Sequence, residues 1–484
     1  MSTPEVTPVG PGPGTDEPDQ EPTIFVLFGA TGDLAHRMVL PAYYELYRRG
    51  LMPAHWVLIG NGRGDVSHED FQGDVRGAVE GTGVQLDEQE WSAFAGRLRF
   101  AGGGFDDTDP GSLLDVIDTV RHQVGDNARY IHYLAVPPVA FGPLTDGLKA
   151  HDLLTRARVV YEKPYGTSPQ SFQELDDRVH AAMDESQVYR IDHFLGKEAT
   201  QDLHVLRFAN TLVASIWNNR HVAQVQIDVP ETLDVADRAA FYDATGAFRD
   251  MVATHLFQVA AEIAMEPPVS FSAADLQDAR ESVIAAFRPL RSEDVVFGQV
   301  EGYLDLPEVR EGSTTETYAA ARLWVDTDRW RDVPFVLRSG KQLAKSEQRV
   351  TLILKEPDGP LDGVPLHAGE LSFSLAGDGE IELSLVLKKP GPGLDTVRQT
   401  MRLSLDDVPD SDPLPPYVAL LHDVTLGDRS LFTTGAGLEQ AWRAAAPIID
   451  APPTPIRYAV GSDGPAEGDA LTDGIGWVAA QFDS

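Results

Sequence analysis

Cysteine is absent from all 484 residues. That removes disulfide staples, thiolate nucleophiles and Cys-ligated metals at once, and nothing else in the pattern calls for a metal ion. Positive charge is scarce: 39 Lys and Arg stand against 75 Asp and Glu, for a formal net charge of −36. A surface that acidic repels nucleic-acid phosphates and anionic membrane faces, so neither is an expected partner. No apolar run approaches the roughly 18 residues that mark a membrane helix. Residues 1–22, MSTPEVTPVGPGPGTDEPDQEP, have neither the basic nor the apolar region of a signal peptide. They read as a disordered acidic tail, and a cytoplasmic protein is the expectation. Lysine is scarcer still, with 8 residues against 31 Arg. A chain that uses Arg wherever a cation will serve keeps Lys where a compact, titratable ammonium is needed. Lys163, Lys197, Lys341 and Lys345 all fall in the motifs described below.

What is present suffices for two or three domains, with 42% hydrophobic residues to fill their cores. Ile24 to Phe28 is a continuous apolar run, as a buried parallel strand requires. Gly29, Gly32 and Ala35 follow, then a helix-like stretch to Arg49. Strand, glycine turn and helix N-terminus together suit a dinucleotide pyrophosphate. The GxxGxxA spacing departs from GxGxxG, so alone it fits a structural βα turn equally well. A second strand, 56–60, leads into NGRGD, where an NAD site would place an acid. Arg63 comes first, with Asp65 further on, and a cation there suits the 2′-phosphate of NADP, assisted by Thr31. Strands at 128–138 and 157–166 continue the alternation, giving a doubly wound α/β Rossmann-like domain over 23–190.

Past Asp192 the pattern changes. Runs at 222–229, 321–325, 349–356, 369–377 and 380–391 show partial period-two alternation with few late helices. They predict a large, mainly antiparallel sheet in an α+β second domain, 191–484. RIDHFLGKE, 190–198, therefore sits near the junction, where clefts form. The stretch 246–268 predicts a helix with His255 on an apolar stripe. By itself such a histidine is more often a core residue than a base. A buried imidazole steadied by a carboxylate is nonetheless what general-base chemistry needs, and Asp192 is the available acid.

FGATGDLAHR, YLAVPP, EKPYG, RIDHFLGKEATQDLHVLRFAN, RAAFYDATGAFRDMVATH, LRSGKQLAKS and GLEQAW follow one another in an order that resembles glucose-6-phosphate dehydrogenases. The resemblance covers nearly the whole chain after the tail. It implies NADP-linked oxidation of glucose 6-phosphate at C1 to the 6-phosphogluconolactone, at the entry to the pentose phosphate pathway, by a homodimer or homotetramer. It further implies His255 as base and Asp192 as its partner. Gly29, Thr31, Gly32, Asp33, Leu34, Arg63 and Pro164 would face the cofactor. Lys163 would lie between sugar and nicotinamide, His193 and Lys197 at the phosphate, and Glu231, Asp250 and Lys341 at the sugar. Lys345 would be a further substrate contact, displaced because the segment after Lys341 looks one residue short.

Departures from the family pattern gather on the phosphate side. Met38 stands where a lysine is usual, Phe194 replaces a tyrosine, Ala376 replaces the start of a Gln-Pro, and DVADR at 234–238 replaces a GVEGR-like turn. Two other readings stay open: a dehydrogenase of another hexose phosphate or an unphosphorylated sugar, and a non-catalytic NADP sensor.

Overall fold

The computed structural model describes residues 21–357, 369–377, 379–409 and 411–480. Residues 1–20 of the expected disordered tail lie outside them. Residues 21–22 of that tail are held: the Arg129 amide donates to the Pro22 carbonyl at 2.8 Å, and the Glu21 carboxylate meets Arg129 and Arg156 at 2.5 and 2.8 Å.

The first sheet has six parallel strands: β1 (Thr23–Phe28), β2 (Trp56–Asn61), β3 (Leu98–Ala101), β4 (Arg129–Leu134), β5 (Ala157–Tyr161) and β6 (Val188–Arg190). Their order, β3-β2-β1-β4-β5-β6, reverses direction of winding between β1 and β4. That is the switch point where such sheets open a crevice at the strand C-termini. β1 is buried along its whole length, as its unbroken apolar run requires. The short strands β3 and β6 are absent from the sequence reading because runs of four and three residues carry no usable periodicity.

The second sheet has nine strands. They are β7 (Val222–Pro230), β8 (Val295–Val300), β9 (Tyr318–Trp324), β10 (Pro334–Gly340), β11 (Arg349–Leu354), β12 (Glu370–Ser374), β13 (Ile381–Lys388), β14 (Thr396–Leu403) and β15 (Ile456–Tyr458). Most pairs are antiparallel, but β7 with β10 and β8 with β15 are parallel, so the sheet is mixed. Helices are few late in the chain, as expected, and the two longer ones, Pro416–Leu426 and Gly435–Asp450, follow β14. Val418, Leu420, Leu421 and Val424 of the former complete the core on the Phe25–Leu27 face of the first sheet.

The expected helix over 246–268 is three pieces. Gly246 adopts φ 70° and ends one helix, a π-helix runs Phe248–Leu256, and an α-helix follows from Phe257 to Ala264. The π-helix lies against β9 and β10.

Candidate active site

Three chain segments meet at the C-terminal end of the parallel sheet. Lys163 follows β5, and the Lys163–Pro164 peptide is cis. Asp192 follows β6 by two residues. Asp250 and His255 come from the π-helix, whose i→i+5 bonding stacks residues five apart on one side. That spacing brings both to the same ammonium. Lys163 Nζ donates to the Asp250 carbonyl at 2.5 Å and to its Oδ1 at 2.9 Å, and lies 2.6 Å from His255 Nε2.

The other imidazole nitrogen is held as firmly. His255 Nδ1 lies 2.9 Å from Asp192 Oδ1, which also accepts the Phe194 amide at 2.9 Å. An ionised carboxylate accepts only, so Nδ1 carries the proton and Nε2 presents its lone pair. Burial opposes ionisation of Asp192, yet the His255 and His193 rings and the Phe194 amide outweigh it and lower its pKa. For His255 burial and Lys163 outweigh Asp192, so its pKa also falls and the ring is neutral at pH 7. Asp250 is desolvated too, and Lys163, His255 and the more distant Lys341 hold its carboxyl below the ordinary range.

His193 and Lys197 lie across the His255 ring. The His193 and His255 centroids are 4.5 Å apart, and the Phe194 ring packs 5.0 Å from His255. Lys197 Nζ sits 4.1 Å over the Phe194 ring and donates to Gln348 Oε1. Burial, the close His255 ring and the ammonium groups of Lys163 and Lys197 push His193 down to about 3 despite Asp192. Burial alone lowers Lys197 to about 8, against a small opposing effect of Asp192.

Glu231 and Lys341 reach one another through the parallel pair β7 and β10. Pro230 and Gly340 are register partners, so the two strands deliver the residues that follow them to one edge. The Glu231 amide donates to the Gly340 carbonyl at 2.9 Å, and the Lys341 ammonium pairs with the Glu231 carboxylate. Lys345 pairs instead with Glu347, which also binds Arg349 at 2.8 Å, itself bound to Glu382 at 2.9 Å. That chain of charges is separate from Lys197. Met38 is exposed in a short π-helix, Ala35–Val39. Of the opening motif, Arg190 is structural, buried and bound to Asp176 and Glu185 at 2.7 and 2.8 Å.

At the switch point Gly29 has φ 75°, and a Cβ there would lie 2.3 Å from the Ala135 carbonyl oxygen. The Gly32 amide closes the turn by donating to the Gly29 carbonyl at 2.9 Å. Asp33 is exposed, 3.5 Å from Arg37, and Leu34 packs on the core. Arg63 lies just beyond β2, exposed and unpaired among the described residues, while a Cβ on neighbouring Gly62 would lie 3.4 Å from Thr31 Oγ1. A glycine turn that tolerates no side chain, with a free guanidinium beside it, fits a phosphorylated dinucleotide. Asp192, His193 and His255 also bring ligand atoms within 4.8 Å of one another. A cation there would have to displace the Asp192–His255 bond and lie beside the Lys163 ammonium, so the geometry suits proton chemistry better.

Two family models match the chain, the glucose-6-phosphate dehydrogenase NAD binding domain over residues 26–202 and its C-terminal domain over 204–478. The chain belongs to the glucose-6-phosphate dehydrogenase family. A glucose-6-phosphate 1-dehydrogenase 1 of Mycobacterium tuberculosis is 36% identical over 464 residues, spanning 94% of this chain and 96% of that protein. One from Chlamydia muridarum is 32% identical over 497 residues, 96% and 98% of the two chains. The crystal structure of the Mycobacterium avium enzyme superposes with a TM-score of 0.86 at 35% identity, over 96% of this chain and 100% of that one. A glucose-6-phosphate dehydrogenase in complex with its substrate glucose-6-phosphate superposes at 0.88 and 29% identity, over the same shares.

Among residues bonded to the predicted site residues, the sequence reading missed Gln348, Glu347 and Glu162. Glu162 is buried and accepts from the Tyr133 hydroxyl at 2.5 Å, next to Lys163. Its adjacency to a motif lysine was the one available signal. Nothing in the sequence tied Gln348 to Lys197, which lie 151 residues apart.

Proposed function

We propose that this chain oxidises glucose 6-phosphate at C1 to 6-phosphogluconolactone, with NADP as the hydride acceptor. The observation that carries the proposal is the imidazole of His255, with Nδ1 on Asp192 and Nε2 bared toward Lys163 beyond the C-terminal ends of β5 and β6. His255 Nε2 takes the C1 hydroxyl proton, and Asp192 fixes the tautomer and steadies the imidazolium that forms. The sugar hydroxyl displaces Lys163 from the Nε2 lone pair. Asp250 retains the ammonium close by, where it donates to the sugar oxygen. Glu231 and Lys341 orient the ring hydroxyls from the β7–β10 edge. Gly29, Thr31, Gly32, Asp33, Leu34, Pro164 and Arg63 hold NADP, which supplies the two-electron acceptor, with Arg63 at the 2′-phosphate. His193 and Lys197 bind the sugar phosphate, an anion that would restore the proton burial has weakened on both. Lys345 approaches the substrate only if Glu347 releases it.

The same proposal assigns 23–190 to the dinucleotide and 191–484 to substrate recognition and subunit pairing, with Pro416–Leu426 crossing back to the first core. Pairing through the large sheet is supported by β13 and β14. Leu385, Leu387, Val397, Met401 and Leu403 lie exposed on one face of these register-matched strands. No helix among the described residues is long and apolar enough to cross a membrane. A cytoplasmic homodimer or homotetramer in the pentose phosphate pathway is the setting we infer.

A second reading, oxidation of an unphosphorylated sugar, is favoured by Phe194 and by the engagement of Lys345 with Glu347. Following NADPH absorbance with hexoses and hexose 6-phosphates separates the two. Turnover of glucose 6-phosphate well above that of glucose supports the first; equal turnover supports the second.

A further inference from the structure

We infer that Gln348 is a recognition residue for the substrate's phosphate, supplying hydrogen-bond donors that Phe194 lacks; the inference rests on a sugar-phosphate substrate. Four lysines stand in the motifs of this chain. Three meet carboxylates: Lys163 at Asp250, Lys341 at Glu231 and Lys345 at Glu347. Lys197 meets a neutral amide, the side chain of Gln348. In a chain of net charge −36, an ammonium kept from direct carboxylate contact is set apart for an incoming anion.

The amide has the right orientation to share that anion. An ammonium only donates, so the Gln348 oxygen must face Lys197 and its NH2 group must point elsewhere. That NH2 has no hydrogen-bond partner among the described residues, and the side chain is half-buried. The backbone beneath it is fixed, because the Leu375 amide donates to the Gln348 carbonyl at 2.7 Å and the next residue, Arg349, is clamped by Glu347 and Glu382. His193, also without a hydrogen bond among the described residues, completes a set of donors on two sides of the Phe194 ring. Neutral donors suit this place. A second cation would depress Lys197 further, and a carboxylate would neutralise it.

The test uses the full-length enzyme and the ratio of kcat/KM for glucose 6-phosphate to that for glucose. Gln348→Ala is expected to lower the ratio about tenfold, as loss of a donor to an anion requires. Gln348→Glu, which closes Lys197 in an ion pair, is expected to lower it about a hundredfold. Inhibition by inorganic phosphate should weaken in parallel, while the KM for NADP stays within about twofold. Lys197→Ala serves as the reference. If it collapses the ratio while both Gln348 variants keep it, Gln348 is no phosphate ligand and the sugar-phosphate reading stands. If all three keep it, the reading falls and the inference with it. Should Gln348→Glu fail to fold, Gln348→Ala and Gln348→Asn decide the matter alone.

Discussion

On the Asp192–His255 side of the cleft every charged group meets a complementary one. Asp192 holds the imidazole, Lys163 bridges Asp250 and His255, and all are at least largely buried. On the Lys197 side the ammonium meets an amide and a ring face, and His193 has no hydrogen bond among the described residues. The first arrangement is complete without ligand, as preorganised proton chemistry demands. The second is left unsatisfied, and a bound dianion would complete it. An anion can be held by several donor combinations, whereas a base and its orienting acid have one geometry.

The sharpest way to break this contrast is His255→Asn, which keeps size and polarity but removes the base. It is expected to lower kcat about 10²–10⁴-fold with little change in sugar binding. A variant retaining most of its turnover would mark His255 as a core residue only. On the other side, Lys197→Ala is expected to raise the KM for the sugar phosphate roughly ten- to a hundredfold, chiefly a binding effect. A loss confined to kcat would instead tie Lys197 to the chemistry. Arg63→Ala lies outside both regions and should raise the KM for NADP about tenfold or more while sparing NAD. Equal loss for both cofactors would remove Arg63 from the 2′-phosphate.

Acidity separates the two regions next. Activity needs neutral His255, whose lowered pKa places the acid limb of kcat/KM below the usual imidazole value of about 6.5. It also needs charged Lys197, so kcat/KM for the phosphorylated sugar should fall as pH rises through about 8. The profile for free glucose should lack that alkaline limb. Identical profiles for the two sugars would dissolve the distinction. The smallest effect is expected from Phe194→Tyr. A phenol that reaches the anion contributes a donor, but its ring already carries the Lys197 contact and is buried, so sugar-phosphate KM should fall only about two- to fivefold. An unchanged KM would show the para position pointing away from the site.

Much of this was legible beforehand. The apolar run at Ile24–Phe28 and the glycine turn pointed to a dinucleotide crevice, and β1, β2 and the switch-point order bear that out. RIDHFLGKE carried Asp192 and Lys197 on its face. The periodicity reading erred at 246–268, because hydrophobic spacing over nine residues does not distinguish 3.6 residues per turn from the wider π-helix. The position of Lys345 after Lys341 points to a substrate contact, and its pairing with Glu347 is not legible in that spacing.

The sequence by itself determined the two-sheet plan and singled out the glycine turn, Asp192, His255 and Lys163 as candidates. Local apolar runs and turn residues act over a few positions, which is the range a sequence exposes. Only the tertiary structure decided that Lys163, Asp192, Asp250 and His255 converge, that β7 and β10 run parallel to join Glu231 with Lys341, and that Gln348 meets Lys197. Those contacts span 63 to 151 residues. They are set by strand order and by the packing of a π-helix on a sheet, which no short stretch of the chain records.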